Sequence, residues 1–366
     1  MGKIYTALGF MTGTSGDGID ASIIKSDGKN EYEVLANRFY KYSSITSSEI
    51  HKLNESIQAP FDLSNFSEEI DRLDQNIALQ HVKVAEEMKK ICDFDLIGFH
   101  GQTILHLPEE GISKQIGSAE RLSLLTKKTV INNFRENDIA NGGQGAPLAP
   151  IYHKLLIEQN KINPPVTVLN IGGISNITTI NDKFEIFSSD IGPGNCLIDR
   201  WMRVNSDKAF DKDGLIARSG EVDKFILDQR IDLFKNHHIG KKKSFDTNDF
   251  WLILGIEKES QKNLTVENGV ATLTEVTSEI LSQNLKNKNI YACGGGRKNK
   301  FLIESIEKKI EKKIKLIDEI DIDGDFVESQ AFAFLAIRSY LGLPISFPGT
   351  TGCKKPCTGG VIVKSF

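Results

Sequence analysis

No apolar run in this 366-residue chain approaches the roughly 20 residues that a membrane-spanning helix requires. Met1 leads straight into "KIYTALGFM", which reads as a strand and not as a signal peptide, so a cytoplasmic protein is expected. Cysteine is scarce and odd in number: Cys92, Cys196, Cys293, Cys353 and Cys357 do not make a disulfide framework. The only close pair, "CKKPC", lacks two further Cys or His at zinc spacing and is weak evidence for a metal. An excess of one charge is missing too, since 45 Lys and Arg against 49 Asp and Glu leave a net charge of -4 and no reason to expect a nucleic-acid partner. The Lys-rich runs "KKIEKKIK" and "GKKKS" read as solvated faces. Low-complexity tracts are absent, and 39% hydrophobic with 26% charged residues excludes a disordered or fibrous class.

What is present is length enough for two cores and a pattern that occurs twice. "KIYTALGFMTGTSGDGIDASIIKSDG" reads as an apolar strand, a Gly/Ser/Thr/Asp turn and an alternating strand closing at Asp27-Gly28. "PVTVLNIGGISNITTINDKFEIFSSD" has the same plan followed by a third strand. Amphipathic helical stretches such as "FSEEIDRLDQNIALQHVKVAEEMKKI" lie between and after them. Strands alternating with helices, plus two similar hairpins, predict two α/β lobes of related design with a cleft between them. The boundary is expected near residues 131 to 135, giving lobes of 1–131 plus 345–366 and of 132–344.

Three glycine-rich turns carry the polar atoms. Gly13, Thr14, Ser15, Gly16, Asp17 and Gly18 offer small residues, hydroxyls and open backbone N–H groups suited to phosphate oxygens. This is not a Walker loop, because GK[ST] is missing and a strand follows where that motif needs a helix. Asp17 suits a water in the shell of a Mg²⁺ ion better than a bare phosphate. "LNIGGISN" supplies Gly172 and Gly173 with the amides of Asn170 and Asn176, and "NIYACGGGRKNKFLIESI" reads as a strand, Gly294, Gly295 and Gly296, then a helix with Asn299 in its first turn. Each turn alone is equally a tight turn without a ligand. In this order they form the layout of the actin-like, hexokinase-like ATP-binding superfamily.

"FSSDIGPGNCLIDRW" ends an apparent strand at Asp190, directly before an Ile-Gly-Pro-Gly-Asn turn. Read alone, Asp190 is either a helix N-cap or turn residue, or a general base presented where glycines let a ligand approach.

"GFMTGTSGDGID", "GFHGQTILHLP", "NNFRENDIANGGQGAPLAP", "LNIGGISN", "SSDIGPGNCLID", "DGLIARSG", "ATLTEVTS", "ACGGGRKN" and "VESQAFAFLA" resemble, in order, the signatures of the anhydro-N-acetylmuramic acid kinase family. "TTGCKKP" is a degraded match to one more. The resemblance implies a two-lobed actin-like ATPase of ribonuclease H-like domains, with ATP, Mg²⁺ and sugar in the cleft. It implies opening of the anhydro bridge of 1,6-anhydro-N-acetylmuramic acid by water, with phosphorylation of O6. It also suggests a homodimer. Under it Asp190 is the catalytic base and Glu328 a second carboxylate, although first-turn stabilisation of a helix accounts for Glu328 equally well. The nucleotide site takes Gly13 to Asp20, Ile19 included, with Asn170, Gly172, Gly173, Gly294 to Gly296 and Asn299, and the metal falls to Asp17. The sugar site takes His100, Gln102, Arg135, Gly142, Gly143, Gln144, Gly194 and Asn195. Arg135 suits a carboxylate or the γ-phosphate through its fork of donors, with a surface salt bridge as its ordinary alternative, and His100 is otherwise a buried structural histidine.

The chain departs from the family pattern at Ser118 and Asn133, where Asp is usual, and at "KKKSFDTN", which retains only Lys243 and Ser244 of a longer signature. Two other functions therefore stay open: a conventional hexose or amino-sugar kinase of the same fold, and a non-catalytic ATP-dependent sensor.

Overall fold

The computed structural model describes residues 3–13, 16–236, 247–255 and 264–365, without the side chains of 247–249. The chain divides into two compact units, Met1–Ile162 with Phe326–Phe366, and Asn163–Asp325.

The first unit is built on a sheet of β1 (Tyr5–Met11), β2 (Gly18–Ser26), β3 (Tyr32–Lys41), β4 (Leu96–Phe99), β7 (Thr129–Asn132) and β13 (Val361–Val363), in the order β13-β7-β4-β1-β2-β3. β1 to β3 form an antiparallel meander, while β4 and β7 run parallel to β1. A separate hairpin joins β5 (Gln102–Leu107) and β6 (Ile112–Ile116). β1 and β4 are buried on both faces, as befits central strands of a covered sheet. The helix Ser67–Ile91 buries an apolar stripe from Ile70 through Ile77 to Met88, and the helix Val327–Tyr340 is buried almost all round. The latter lies so close to the strands that a Cβ at Gly9 would stand 2.1 Å from the Ser329 carbonyl oxygen, and one at Gly98 2.3 Å from that of Phe332. Glycine at both places is a packing requirement.

The second unit repeats the order. β8 (Val166–Ile171), β9 (Ile174–Ile180) and β10 (Ile186–Pro193) form the meander, and β11 (Asn289–Cys293) and β12 (Lys315–Leu316) complete β10-β9-β8-β11-β12. β11 runs parallel to β8 and β12 parallel to β11. Three antiparallel strands followed by two parallel ones, ordered 3-2-1-4-5, is the ribonuclease H-like arrangement. Its appearance in both units is the actin-like ATPase design that the paired hairpins predicted.

The division differs from the expected 131 and 344. The helix Pro150–Gln159 belongs to the first unit because Gln159 exchanges hydrogen bonds with the Tyr32 backbone and Tyr152 Oη donates to Gln330 Oε1 at 2.9 Å. The helix Val327–Tyr340 belongs there through Gly9 and Gly98, and Ser329 Oγ lies 2.7 Å from Ser22 Oγ.

Candidate active site

In the first unit, the turn after β1 is held from outside. Gly13 carbonyl accepts from Gly16 N–H and from Gln102 Nε2, both at 3.1 Å. Ser47 Oγ donates to the Gly16 carbonyl at 2.6 Å, and Thr12 Oγ1 donates to the Gly101 carbonyl at 2.9 Å. Gly16 adopts φ +58°, the left-handed conformation that glycine takes without strain. Thr14 and Ser15 lie outside the described residues. Asp17 is exposed beside this turn and Asp20 is half-buried in β2. Ile19 departs from the expectation of a nucleotide contact: its side chain is 1% exposed in the core. Gln102 departs likewise from a sugar contact, being wholly buried beneath the turn it supports.

Arg135 opens the helix Glu136–Ala140. Its Nε and Nη2 reach His100 Nε2 at 3.2 and 2.9 Å, and Nη1 donates to the Gly145 carbonyl at 2.8 Å. The other ring nitrogen, His100 Nδ1, donates to the Gly101 carbonyl at 2.7 Å, which makes Nε2 the acceptor. Burial, then the neighbouring guanidinium, hold the His100 pKa well below its usual value, so the ring stays neutral. Both ring nitrogens are thus engaged within the protein. His100 orients Arg135 and has no ring nitrogen left for a sugar hydroxyl, which corrects its expected place.

The loop after this helix is organised by Asp138, which lies within the "NNFRENDIANGGQGAPLAP" segment. Its buried carboxylate accepts from Gly145 N–H at 2.7 Å, Ser346 Oγ at 2.5 Å and Thr351 Oγ1 at 2.6 Å. A Cβ at Gly143 would meet it at 2.1 Å, so Gly143 faces the protein. Gly142 is exposed, and half-buried Gln144 donates through Nε2 to Glu109 Oε1 at 3.2 Å. The spacing of Asp138 three residues beyond Arg135, on one helix face, was the available signal.

Glu328 is the second residue of the helix Val327–Tyr340 and is half-buried. One turn further, Phe332 packs against His100 with ring centroids 4.6 Å apart and the rings tilted by 46°. Residues four apart share a helix face, so Glu328 stands on the His100 side of this helix.

In the second unit, Asp190 is not at a strand end. β10 continues to Pro193, with a bulge in its pairing between Asp190 and Gly192. Nor is Asp190 a helix N-cap: that position before the helix Cys196–Asn205 is Asn195, whose side chain makes no cap hydrogen bond. Asp190 pairs with Asn176, and Asn176 with Asn170, so three polar residues form one row across β10, β9 and β8. The row ends at the Gly172-Gly173 turn. There Gly194 N–H donates to the Gly173 carbonyl at 2.9 Å and Asn195 N–H to the Gly172 carbonyl at 2.8 Å. A Cβ at Gly194 would stand 2.2 Å from Gly172 O, so the two glycine segments touch backbone to backbone.

The three glycines after β11 divide the labour unequally. Gly294 and Gly296 abut Asn170 and Ile171, whereas a Cβ at Gly295 would meet nothing within 4 Å. A 3₁₀ turn, Gly295–Lys298, intervenes before the helix Lys300–Ile310, and Asn299 is its N-cap. Asn299 Oδ1 accepts from Leu302 N–H at 3.0 Å in a buried setting, which places it in the scaffold and not at an open nucleotide surface. Arg297 clamps this turn, pairing both oxygens of Asp318 at 2.6 and 2.8 Å, Asp325 at 2.6 Å and the Gly294 carbonyl at 3.1 Å. Burial opposes its charge, but the two carboxylates outweigh burial and raise its pKa.

Two of the departures have local explanations. Ser118 is the N-cap of the helix Ala119–Thr126, accepting from Arg121 N–H at 3.1 Å, a task Asp performs as well. Asn133 adopts φ +53°, a conformation that Asn and Asp tolerate alike. Lys243 and Ser244 lie outside the described residues.

The family model described as anhydro-N-acetylmuramic acid kinase matches residues 5–365. The chain belongs to the anhydro-N-acetylmuramic acid kinase family. Anhydro-N-acetylmuramic acid kinases of Pelagibacter ubique and Zymomonas mobilis are 49% and 35% identical, aligned over 100% and 97% of this chain and 100% and 99% of their own. That of Agrobacterium fabrum is 33% identical over 100% of both chains. Among solved structures, a ROK family glucokinase from Streptomyces griseus in complex with glucose and AMPPNP is similar at TM-score 0.41 and 11% identity, with 90% of this chain and 99% of that one covered. The fold assignment rests on the strand order, not on that distant likeness. As a member of the anhydro-N-acetylmuramic acid kinase family the chain is an ATP-dependent kinase, which disfavours the sensor reading. No helix among the described residues is long and apolar enough to cross a membrane.

Proposed function

We propose that this kinase uses ATP and water to open 1,6-anhydro-N-acetylmuramic acid and phosphorylate it at O6, giving N-acetylmuramic acid 6-phosphate, with Asp190 as the general base. The observation that carries this is the row Asp190–Asn176–Asn170 ending at two touching glycine segments. It offers one carboxylate where backbone, free of side chains, gives room to ligand oxygens.

In the reaction Asp190 takes a proton from water as the water oxygen bonds to the anomeric carbon. The bond from that carbon to the bridge oxygen breaks, the bridge oxygen bonds to the γ-phosphorus, and the bond to the β,γ-bridging oxygen breaks to release ADP. Attack opposite the bridge is the inverting half of glycoside chemistry. The departing oxygen needs no carboxylic acid, because phosphoryl transfer removes its charge.

Arg135, fixed by His100 and Gly145, binds the lactyl carboxylate of the sugar. Gly142, Gln144, Gly194 and Asn195 complete the sugar contacts, and Glu328 steadies the water or a hydroxyl. The backbone from Gly13 to Gly18 and of Gly172 and Gly173 takes phosphate oxygens, and Gly295 passes close to the nucleoside. Exposed Asp17 provides hard oxygen donors that fit a hydrated Mg²⁺, an ion that would neutralise charge on the phosphates. The enzyme acts in the cytoplasm as a homodimer, a reading that the family resemblance supports.

The test is turnover in oxygen-18 water, quenched promptly and read by mass spectrometry against a product control incubated in the same water. One heavy oxygen at the anomeric position above that control is expected. A sugar phosphate without it would overturn the hydrolytic half and favour a conventional kinase.

A further inference from the structure

The fold brings together a cluster that plays no part in the proposed reaction. Asp138, Cys353 and Cys357 are all buried, and one ligand atom from each lies within 4.8 Å of the others. We propose that Asp138, Cys353 and Cys357 form a binding site for a soft divalent cation of the zinc type.

The donor set selects the ion. Two sulfurs favour zinc-like metals over magnesium or calcium, and Cys-x3-Cys falls within the two-to-four-residue spacing common in zinc sites. Ligand atoms around tetrahedral zinc stand about 3.3–3.8 Å apart, so the three need to contract by up to about 1.5 Å. The sequence pair looked insufficient because its third partner comes from another segment of the chain. Ser346 Oγ donates to Asp138 Oδ1 at 2.5 Å and Thr351 Oγ1 donates to the same oxygen at 2.6 Å, which fixes the orientation of the carboxylate, and the fourth position falls to a water.

The surroundings are built. Cys357 N–H donates to the Ser346 carbonyl at 3.0 Å and Ile345 N–H to the Cys357 carbonyl at 2.8 Å. Next to the other cysteine, Lys354 N–H donates to the Asn141 carbonyl at 3.1 Å. A divalent cation supplies the charge that lets thiolates and a carboxylate share one buried space, the thiol protons leaving to solvent as it binds.

The site has a mechanical consequence. Asp138 holds Gly145 N–H, and the Gly145 carbonyl holds Arg135. A bound ion therefore ties the C-terminal segment to the loop that positions Arg135, which makes it a structural site and not a reacting one.

The test uses the full chain, stripped with chelator and kept reduced with a phosphine, and titrated with Co²⁺. Tetrahedral visible bands and a sulfur-to-cobalt band in the near ultraviolet, saturating at one equivalent and bleached by Zn²⁺, are expected. The double variant C353S/C357S, its fold checked by circular dichroism, should lose the sulfur band and bind zinc at least ~100-fold more weakly, while C92S keeps both. Thermal stability of the parent should rise with zinc concentration and that of the double variant should not. Absence of a sulfur band in the folded parent, or its survival in C353S/C357S, would overturn the site.

Discussion

The two units share a strand order and differ in the rows that cross the meander near its turn. In the first, the row across the meander reads Met11, Asp20, Phe39, and in the second it reads Asn170, Asn176, Asp190. The third strand thus ends its row with an apolar ring, 48% exposed, in one unit and with a carboxylate in the other. The turns differ correspondingly. The first is long, with Asp17 at its edge and side chains of Gln102 and Ser47 beneath it. The second is two glycines braced by the backbone of Gly194 and Asn195. One scaffold therefore carries two kinds of turn: side chains support a long turn in one unit, and in the other bare backbone packs beside a carboxylate.

The largest expected effect tests that assignment. Asp190→Asn should lower turnover ~10²- to 10⁴-fold, the usual worth of a general base, while ATP affinity and melting temperature hold. A variant turning over at near-parental rate would erase the distinction between the two rows.

Acid should separate the units next. His81 and His153 lie buried in the first unit with pKa values lowered to about 4 by burial, and His106 is lowered to about 3 by burial and then Arg135. The second unit has no histidine among its described residues. Unfolded histidine takes its proton near 6.5, so below that pH the unfolded chain binds more protons and stability falls until the folded pKa is reached. Each of His81 and His153 contributes up to about 3 kcal/mol, present above pH 6.5 and lost toward pH 4. Trp201 and Trp251 both report on the second unit. First-unit peptides should lose hydrogen-exchange protection at a higher pH than the one where tryptophan emission shifts; coincident transitions would contradict this.

Smaller effects come from glycines. Gly9→Ala should destabilise by about 1–3 kcal/mol, because the new methyl meets helix backbone that has no freedom to yield. Chemical denaturation reads it as a lower midpoint at unchanged slope. Gly295→Ala should leave stability within about 0.5 kcal/mol, since its Cβ meets open space, and should instead raise the Michaelis constant for ATP. A stability loss like that of Gly9→Ala would place Gly295 in the scaffold beside Gly294 and Gly296.

Much of this architecture was legible in the residues. Hairpins, glycine turns and amphipathic helices follow from alternation and from local backbone preferences, and these act over a few neighbours. The unit boundary was missed because the helices Pro150–Gln159 and Val327–Tyr340 carry no local mark of the sheet they cover. Asp190 looked terminal because Gly-Pro-Gly signals a turn, whereas pairing with β9 absorbs the irregularity as a bulge on an edge strand, where proline is tolerated.

The sequence by itself determined the strand, turn and helix vocabulary and the glycines at each turn, because those depend on conformational preference and residue chemistry alone, while Asp190 stands out as the candidate base only through the resemblance of its motif to the family's. Only the tertiary structure decided that His100 serves Arg135, that Ile19 and Asn299 belong to the scaffold, and that Asp138 meets Cys353 and Cys357. Those outcomes depend on which buried polar atoms find partners far along the chain, and burial makes finding a partner obligatory.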